Sequence, residues 1–193
     1  KDMGIKELTL IAQDTGNYGK DLKGKTTIER LLKKLAGLDF HWIRVMYMHP
    51  AHINNRILKT IVDEPKICRY LDIPLQHIHP EILKKMNRPV LDYGGIIDRI
   101  RTVIPEIRLR TTFITGFPGE KERHFRKLLE FIEEKEFDRL GVFPYSREKG
   151  TPAYSLPGQV PEKIKRERER ILMELQRKIS RRKLKKLAGT EME

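Results

Sequence analysis

Cysteine is almost absent: Cys68 is the only one in 193 residues. A single thiol excludes an internal disulfide framework and any metal site needing several cysteines of this chain. Aromatic residues are sparse, at 7%, with one Trp. No apolar run nears the roughly 20 residues of a membrane-spanning helix, and no signal peptide is visible. The expectation is a reducing, cytoplasmic setting without membrane contact. The chain opens on Lys1 rather than Met, which suggests a fragment or a processed product.

Charge is what the sequence has in excess. Forty Lys and Arg face 27 Asp and Glu, for a formal charge of +13 and a pI near 9.8. Charged residues make up 35% of the chain, against about 25% in an average domain. Apolar residues nevertheless recur in ordered periods, so global disorder is excluded.

Five β-leaning runs occur in order: Leu8–Ile11, Trp42–Met48, Arg69–Ile73, Leu109–Ile114 and Leu140–Phe143. The first three read as short strands buried on both faces. Helix-period segments lie between the runs. Thr26-Thr27-Ile28-Glu29 carries a capping box, Ile53–Val62 reads as a second helix, and His79-Pro80 starts a third. Asp92 can cap Ile96–Val103, and Glu122–Lys135 places Phe125, Leu128, Leu129 and Ile132 on one stripe. Strand starts 27 to 40 residues apart give the rhythm of βαβ units. The fold class is therefore α/β with an open parallel sheet. Five strands are too few to close an eight-stranded barrel.

Residues 161–187 differ from the rest. Twelve basic residues stand against four acidic ones, and Ile164, Ile171, Leu175 and Ile179 share one face. The pattern predicts a long amphipathic helix docked on the body. Its cations form either a solvated face or an RNA-facing surface, since clustered cations gain affinity by releasing phosphate counterions.

Polar residues gather after each strand: Gln13-Asp14-Thr15, Tyr47-Met48-His49-Pro50, Gln76-His77, Gly116-Phe117-Pro118-Gly119-Glu120 and Tyr145-Ser146. Ligands of parallel α/β folds bind at the carboxyl ends of the strands. Zinc held by His49, His52, His77 or His79 with Asp14 or Asp72 is a rival reading, but His79 is better used to start a helix. His41 and His124 read as solvated, Cys68 as a buried apolar group, and Phe40 and Trp42 as packing residues. Tyr47 and Tyr145 suit either ligand stacking or core packing. A buried Arg110 on a strand requires a carboxylate partner.

Seven ordered blocks carry a resemblance over nearly the full length. They are Ile11-Ala12-Gln13-Asp14-Thr15 with Tyr18-Gly19, Tyr47-Met48-His49-Pro50, Ile73-Pro74-Leu75-Gln76-His77, Met86-Asn87-Arg88-Pro89, Arg110–Glu120, Phe137-Asp138-Arg139, and Tyr145–Ala153. The chain resembles the radical S-adenosylmethionine methylthiotransferases. Gln-Asp-Thr, Tyr-Met-His-Pro and Leu-Gln-His look like the branch that modifies an aspartate of a small-subunit ribosomal protein. The other branch modifies a tRNA adenosine.

The resemblance implies a partial (β/α) barrel of radical-SAM type, of which strands two to six are present. It implies S-adenosylmethionine and 4Fe-4S clusters in the intact protein, and a ribosomal partner. By the resemblance, Gln13, Gln76, Arg110 and Thr112 contact the ribose and methionyl groups, and Gly116, Phe143 and Tyr145 the adenine. The family's CxxxCxxC motif has no counterpart here, so no metal ligand is assigned and the chain alone is expected to be inactive. Residues 1–160 read as the core fragment, 161–187 as the basic helix, and 188–193 as the opening of a TRAM domain. A non-enzymatic RNA-binding module that kept the fold is the rival of a different class.

Overall fold

Thr27 shows how local chemistry sets the elements of this computed structural model, which describes residues 4–23 and 26–190. Its hydroxyl accepts from the Arg30 amide and starts helix α1 (Ile28–Ala36), so the N-cap is Thr27 rather than Thr26. Strands β1 (Glu7–Leu10) and β2 (Trp42–Val45) flank it and pair in parallel, Leu8 opposite Ile43. Asn54 caps helix α2 (Asn55–Asp63) by accepting from Arg56 and Ile57 amides. The predicted helix start at Ile53 was early, because Pro50–His52 forms a separate 3₁₀ turn. Strand β3 (Tyr70–Asp72) follows, then α3 (Pro80–Lys85) and α4 (Tyr93–Val103), the last capped by Asp92. Strand β4 (Arg108–Thr115), helix α5 (Glu122–Lys135), strand β5 (Arg139–Pro144) and helix α6 (Glu162–Leu187) complete the order.

All five strand runs and the strand–helix alternation are present, with ends shifted by a few residues. The strands form two short parallel sheets, β1-β2 and β3-β4-β5, rather than one continuous sheet. A single bridge, Ile43 to Ile67, continues the first beyond β2.

Contacts divide the chain into two compact units, residues 1–74 with 92–110 and residues 75–91 with 111–193. The first holds β1 to β3, α1, α2, α4 and the start of β4. Its core is Leu32, Ile43, Val45, Ile57, Leu58, Ile61, Leu71 and Ile97. The second holds α3, the rest of β4, α5, β5 and α6. Phe113, Leu128, Ile132, Phe137, Leu172 and Ile179 are buried there.

Expectations about burial fail in several places. Strand β1 is not buried on both faces: Glu7 and Thr9 are exposed, and among the described residues it pairs only with β2. Trp42 is 41% exposed at a strand start, so of the two packing roles open to it the core one fails, and its ring stands 4.9 Å from that of His41; Cys68 is half-buried. The docking stripe of α6 is Lys165, Arg168, Leu172, Gln176 and Ile179. It is rotated from the expected face, and Ile164 is 39% exposed. Apolar periodicity missed it because three of the five members are polar, with stems that pack while their heads find partners. Gln176 Nε2 donates to the Phe137 carbonyl at 2.8 Å, and Lys183 Nζ donates to the Glu136 carbonyl at 2.9 Å, where α5 ends. Residues Glu191 to Glu193 of the expected TRAM opening lie outside the described residues.

Candidate functional site

In the first unit the carboxyl ends of three strands are tied together by their own loops. The Thr15 hydroxyl donates to the Met46 carbonyl at 2.8 Å, and the Thr15 amide to the Tyr47 carbonyl at 3.0 Å. The Met48 amide donates to the Asp72 carbonyl at 2.9 Å. Asp14 accepts from the Gly16 and His49 amides and stands 2.6 Å from His52 Nδ1. Asp14 and His52 thus serve to close loops, and among the described residues the zinc set of the rival reading does not assemble around them. Gln13 is exposed directly after β1.

Arg110 closes this unit's share of β4, half-buried, with Nη1 at 3.6 Å from Asp72 Oδ2. This is the carboxylate that a strand arginine requires. Asp72 is buried, and neither of its oxygens has a hydrogen-bond partner of normal length. Burial pushes its carboxyl up, opposed in part by Arg110 and the Tyr47 backbone. A carboxyl raised on folding costs stability while ionised. That cost is present above the folded pKa and lifts as pH falls through it toward the ordinary 3.8. Asp72→Asn is therefore expected to unfold at higher urea than wild type at pH 7, with the gap closing on acidification. A gap that widens would contradict this.

In the second unit the polar residues flank β4. The Gln76 amide donates to the Thr112 carbonyl and the Gln76 carbonyl accepts from Ile114, each at 2.8 Å. Gln76 adopts φ +68°, a left-handed conformation that costs a non-glycine residue energy. Its Oε1 is buried without a partner, and so is the Tyr145 hydroxyl. Thr112 is half-buried on β4, and Phe143 is 59% exposed.

Gly116 opens the loop after β4, and two contacts occupy it. Its amide donates to Glu120 Oε2 at 2.9 Å, and a Cβ there would lie 2.2 Å from Lys165 Cγ. The close approach that glycine permits is thus made by α6, not left open for adenine. Lys165 Nζ donates to the Tyr145 carbonyl at 2.8 Å and sits 5.2 Å from that ring's centre. Gly116→Ala meets both a left-handed φ of +70° and this overlap. It should cost about 2–4 kcal/mol, read by urea denaturation, and adding Lys165→Ala should restore part of the loss. Unchanged stability would show that α6 does not approach here.

A buried ion pair joins the same loop to α6. Arg168 Nη1 donates to Glu120 Oε1 at 2.6 Å and to the Glu120 carbonyl at 3.3 Å. His77 Nε2 lies 3.6 Å from Glu120 Oε2, and all three side chains are buried. Sequence reasoning missed this network, since it assigned α6 a different docking face, that of Ile164, Ile171, Leu175 and Ile179. It also missed His124, expected to be solvated. His124 is buried beside His79, with ring centres 4.2 Å apart. Burial first, with neighbouring charges, pushes both imidazoles below the usual range.

Comparison with known proteins fits these features. The chain belongs to the Radical SAM superfamily, whose family model matches residues 1–132. Among its relatives is the ribosomal protein uS12 methylthiotransferase RimO of Geobacter sulfurreducens, 49% identical over 97% of this chain. RimO of Thermodesulfovibrio yellowstonii is 51% identical over 98% of it. The chain spans 43% and 45% of those two proteins, less than half their length. The motif resemblance is thereby upheld. Among solved structures, coproporphyrinogen III oxidase (HemN) from Escherichia coli aligns with a TM-score of 0.62 at 18% identity, covering 79% of this chain and 36% of that one. The methyltransferase TsrM from Kitasatospora setae aligns at 0.59 and 16% identity, covering 76% and 29%. These two share the fold.

The superfamily implies S-adenosylmethionine and a 4Fe-4S cluster. In the second unit the unpartnered atoms of Gln76 and Tyr145 suit hydroxyl or ammonium groups such as S-adenosylmethionine carries. In the first unit, taken by itself, the Arg110 guanidinium suits a carboxylate. The donor set does not fit a cluster: Cys68 is the only thiol, and clusters are held by several thiolates.

Proposed function

We propose that this chain is the central, cofactor-holding part of a longer radical enzyme. That enzyme adds a methylthio group to an aspartate of a small-subunit ribosomal protein. The observation that carries the reading is 49% identity, over 97% of the chain, to a protein named for methylthiotransfer to uS12. The Gln-Asp-Thr, Tyr-Met-His-Pro and Leu-Gln-His blocks point the same way. Residues 1–160 form the core, 161–187 a helix that braces it, and 188–193 the start of a TRAM domain.

Bound S-adenosylmethionine would supply radical chemistry to the longer protein. The thiolates for the 4Fe-4S cluster come from outside these 193 residues. The Arg110 guanidinium holds the methionyl carboxylate, with Asp72 fixing its direction. Gln13, Gln76 and Thr112 pair with the ribose and the ammonium. Phe143 and Tyr145 border the adenine. Gly116 contributes the path of the backbone, since its amide is committed to Glu120.

The test is anaerobic reconstitution with iron and sulfide, followed by S-adenosylmethionine and a reductant. The full-length protein should form 5′-deoxyadenosine, and this chain alone should form neither cluster absorbance nor that product. Cleavage by the chain alone would overturn the division of labour.

One observation favours a second reading. Lys163, Arg177, Lys178, Arg181, Lys185 and Lys186 are exposed along α6, a distribution suited to an RNA backbone. It fits ribosomal RNA beside a cytoplasmic ribosomal substrate, and also the tRNA-modifying branch. RNA affinity should then fall steeply with salt, and a salt-independent affinity would remove both.

A further inference from the structure

Leu172 and Ile179 dock α6 by packing alone, yet Lys165 lies buried on the same stripe. A buried ammonium is costly unless its donors are used. Lys165 directs them at the residue that follows β5. Its Nζ donates to the Tyr145 carbonyl at 2.8 Å and stands 5.2 Å from the centre of the Tyr145 ring. The ion pair to Glu162 Oε2 at 3.3 Å involves a carboxylate 61% exposed, so water screens it.

The lysine stem meets the end of β4. Its Cγ lies 2.2 Å from where a Cβ on Gly116 would stand, and the Thr115 hydroxyl donates to the Lys165 carbonyl at 3.3 Å. The Tyr145 amide in turn donates to the Thr115 carbonyl at 2.8 Å. One side chain thus sets the spacing between the end of β4 and the residue after β5. The Tyr145 ring also meets Phe117 edge-on, with centres 5.1 Å apart, and its hydroxyl is buried without a partner. A ring held by several contacts, with a polar atom left over, is a pre-organised ligand border.

We propose that Lys165 is a positioning residue for the adenine half of S-adenosylmethionine, acting through the Tyr145 carbonyl and ring and through the Gly116 backbone. It touches no ligand itself, since Nζ is committed to Tyr145. The proposal rests on the S-adenosylmethionine reading of the site and adds the element that places its adenine border. The gain is pre-organisation: a border already fixed has less order to lose when the ligand binds. Arg110, assigned to the methionyl end, belongs to the other unit, so the two halves of the ligand can be read apart.

The test is equilibrium dialysis of the full-length, anaerobically reconstituted protein against 5′-methylthioadenosine and, separately, L-methionine. Lys165→Met keeps the stem against Gly116 and removes Nζ. It should weaken methylthioadenosine roughly five- to tenfold, the worth of one net hydrogen bond, and leave L-methionine unchanged. Lys165→Gln retains an N–H donor on a shorter stem and should show the same one-sided loss at roughly threefold. Lys163→Met, exposed two residues away, should change neither affinity. Arg110→Ala should show the reverse split. Circular dichroism confirms that each variant folds. A loss shared equally by both ligands, an unchanged methylthioadenosine affinity, or sensitivity to Lys163→Met would overturn the proposal and leave the S-adenosylmethionine reading standing. So would failure of both Lys165 variants to fold, which would make the lysine a folding residue alone. Wild-type protein that binds neither ligand would instead remove the reading on which the proposal rests.

Discussion

Arg168→Met should lower the free energy of unfolding by about 3–5 kcal/mol. The size follows from what the substitution leaves behind. Glu120 is fully buried at its side chain and receives Arg168 Nη1 at 2.6 Å. Without the guanidinium, the carboxylate keeps the Gly116 amide and a His77 nitrogen at 3.6 Å. A buried charge so weakly compensated is among the few single changes that reach this magnitude. The methionine fills the stem's volume against Phe125, over which the Arg168 guanidinium now lies at 5.2 Å, so the loss is not one of packing. Glu120→Gln in the same background should recover most of it, because the pair is costly to break and cheap to remove whole. Chemical denaturation of the four proteins of the cycle reads the coupling directly. A loss below ~1 kcal/mol for Arg168→Met would mean that solvent reaches the pair.

Arg110→Ala, made in the full-length protein, should weaken S-adenosylmethionine binding by roughly 10- to 150-fold. That is the ~1.5–3 kcal/mol of a hydrogen bond to a charged group. Equilibrium dialysis measures it without turnover. Stability should fall as well, since Asp72 is buried and loses the guanidinium that opposes its desolvation, so folding of the variant is confirmed by circular dichroism at the dialysis temperature. Arg110→Lys should recover only part of the affinity, because an ammonium cannot present two parallel donors to a carboxylate. Wild-type affinity in Arg110→Ala would reduce the residue to a partner for Asp72.

The elements were legible wherever the code is local. Pro80 after His79, Asp92 before α4 and the apolar stripe of α5 each fix an element through contacts within a few residues. The carboxyl-end loops were legible for the same reason, each following an apolar run at a turn signal. Arg110 was recognisable as needing a carboxylate, and Asp72 supplies it across the β3–β4 pair. What stayed hidden depends on long-range partners. Lys165 and Arg168 look like solvent-facing cations until Gly116, Tyr145 and Glu120 are placed against them. The φ of +68° at Gln76 and +53° at Tyr47 has no marker in side chains that ordinarily avoid it. His124 was misjudged because it lies on a helix-side segment between charged neighbours, while the ring it packs against, that of His79, is 45 residues away in sequence.

The central claim is that the longer protein built around this chain modifies a ribosomal protein and not RNA. The direct measurement presents purified uS12 and bulk tRNA together to the reconstituted full-length enzyme, then examines both by mass spectrometry. The account predicts a methylthio group on one uS12 aspartate and unmodified tRNA. A methylthiolated adenosine with uS12 untouched would contradict it.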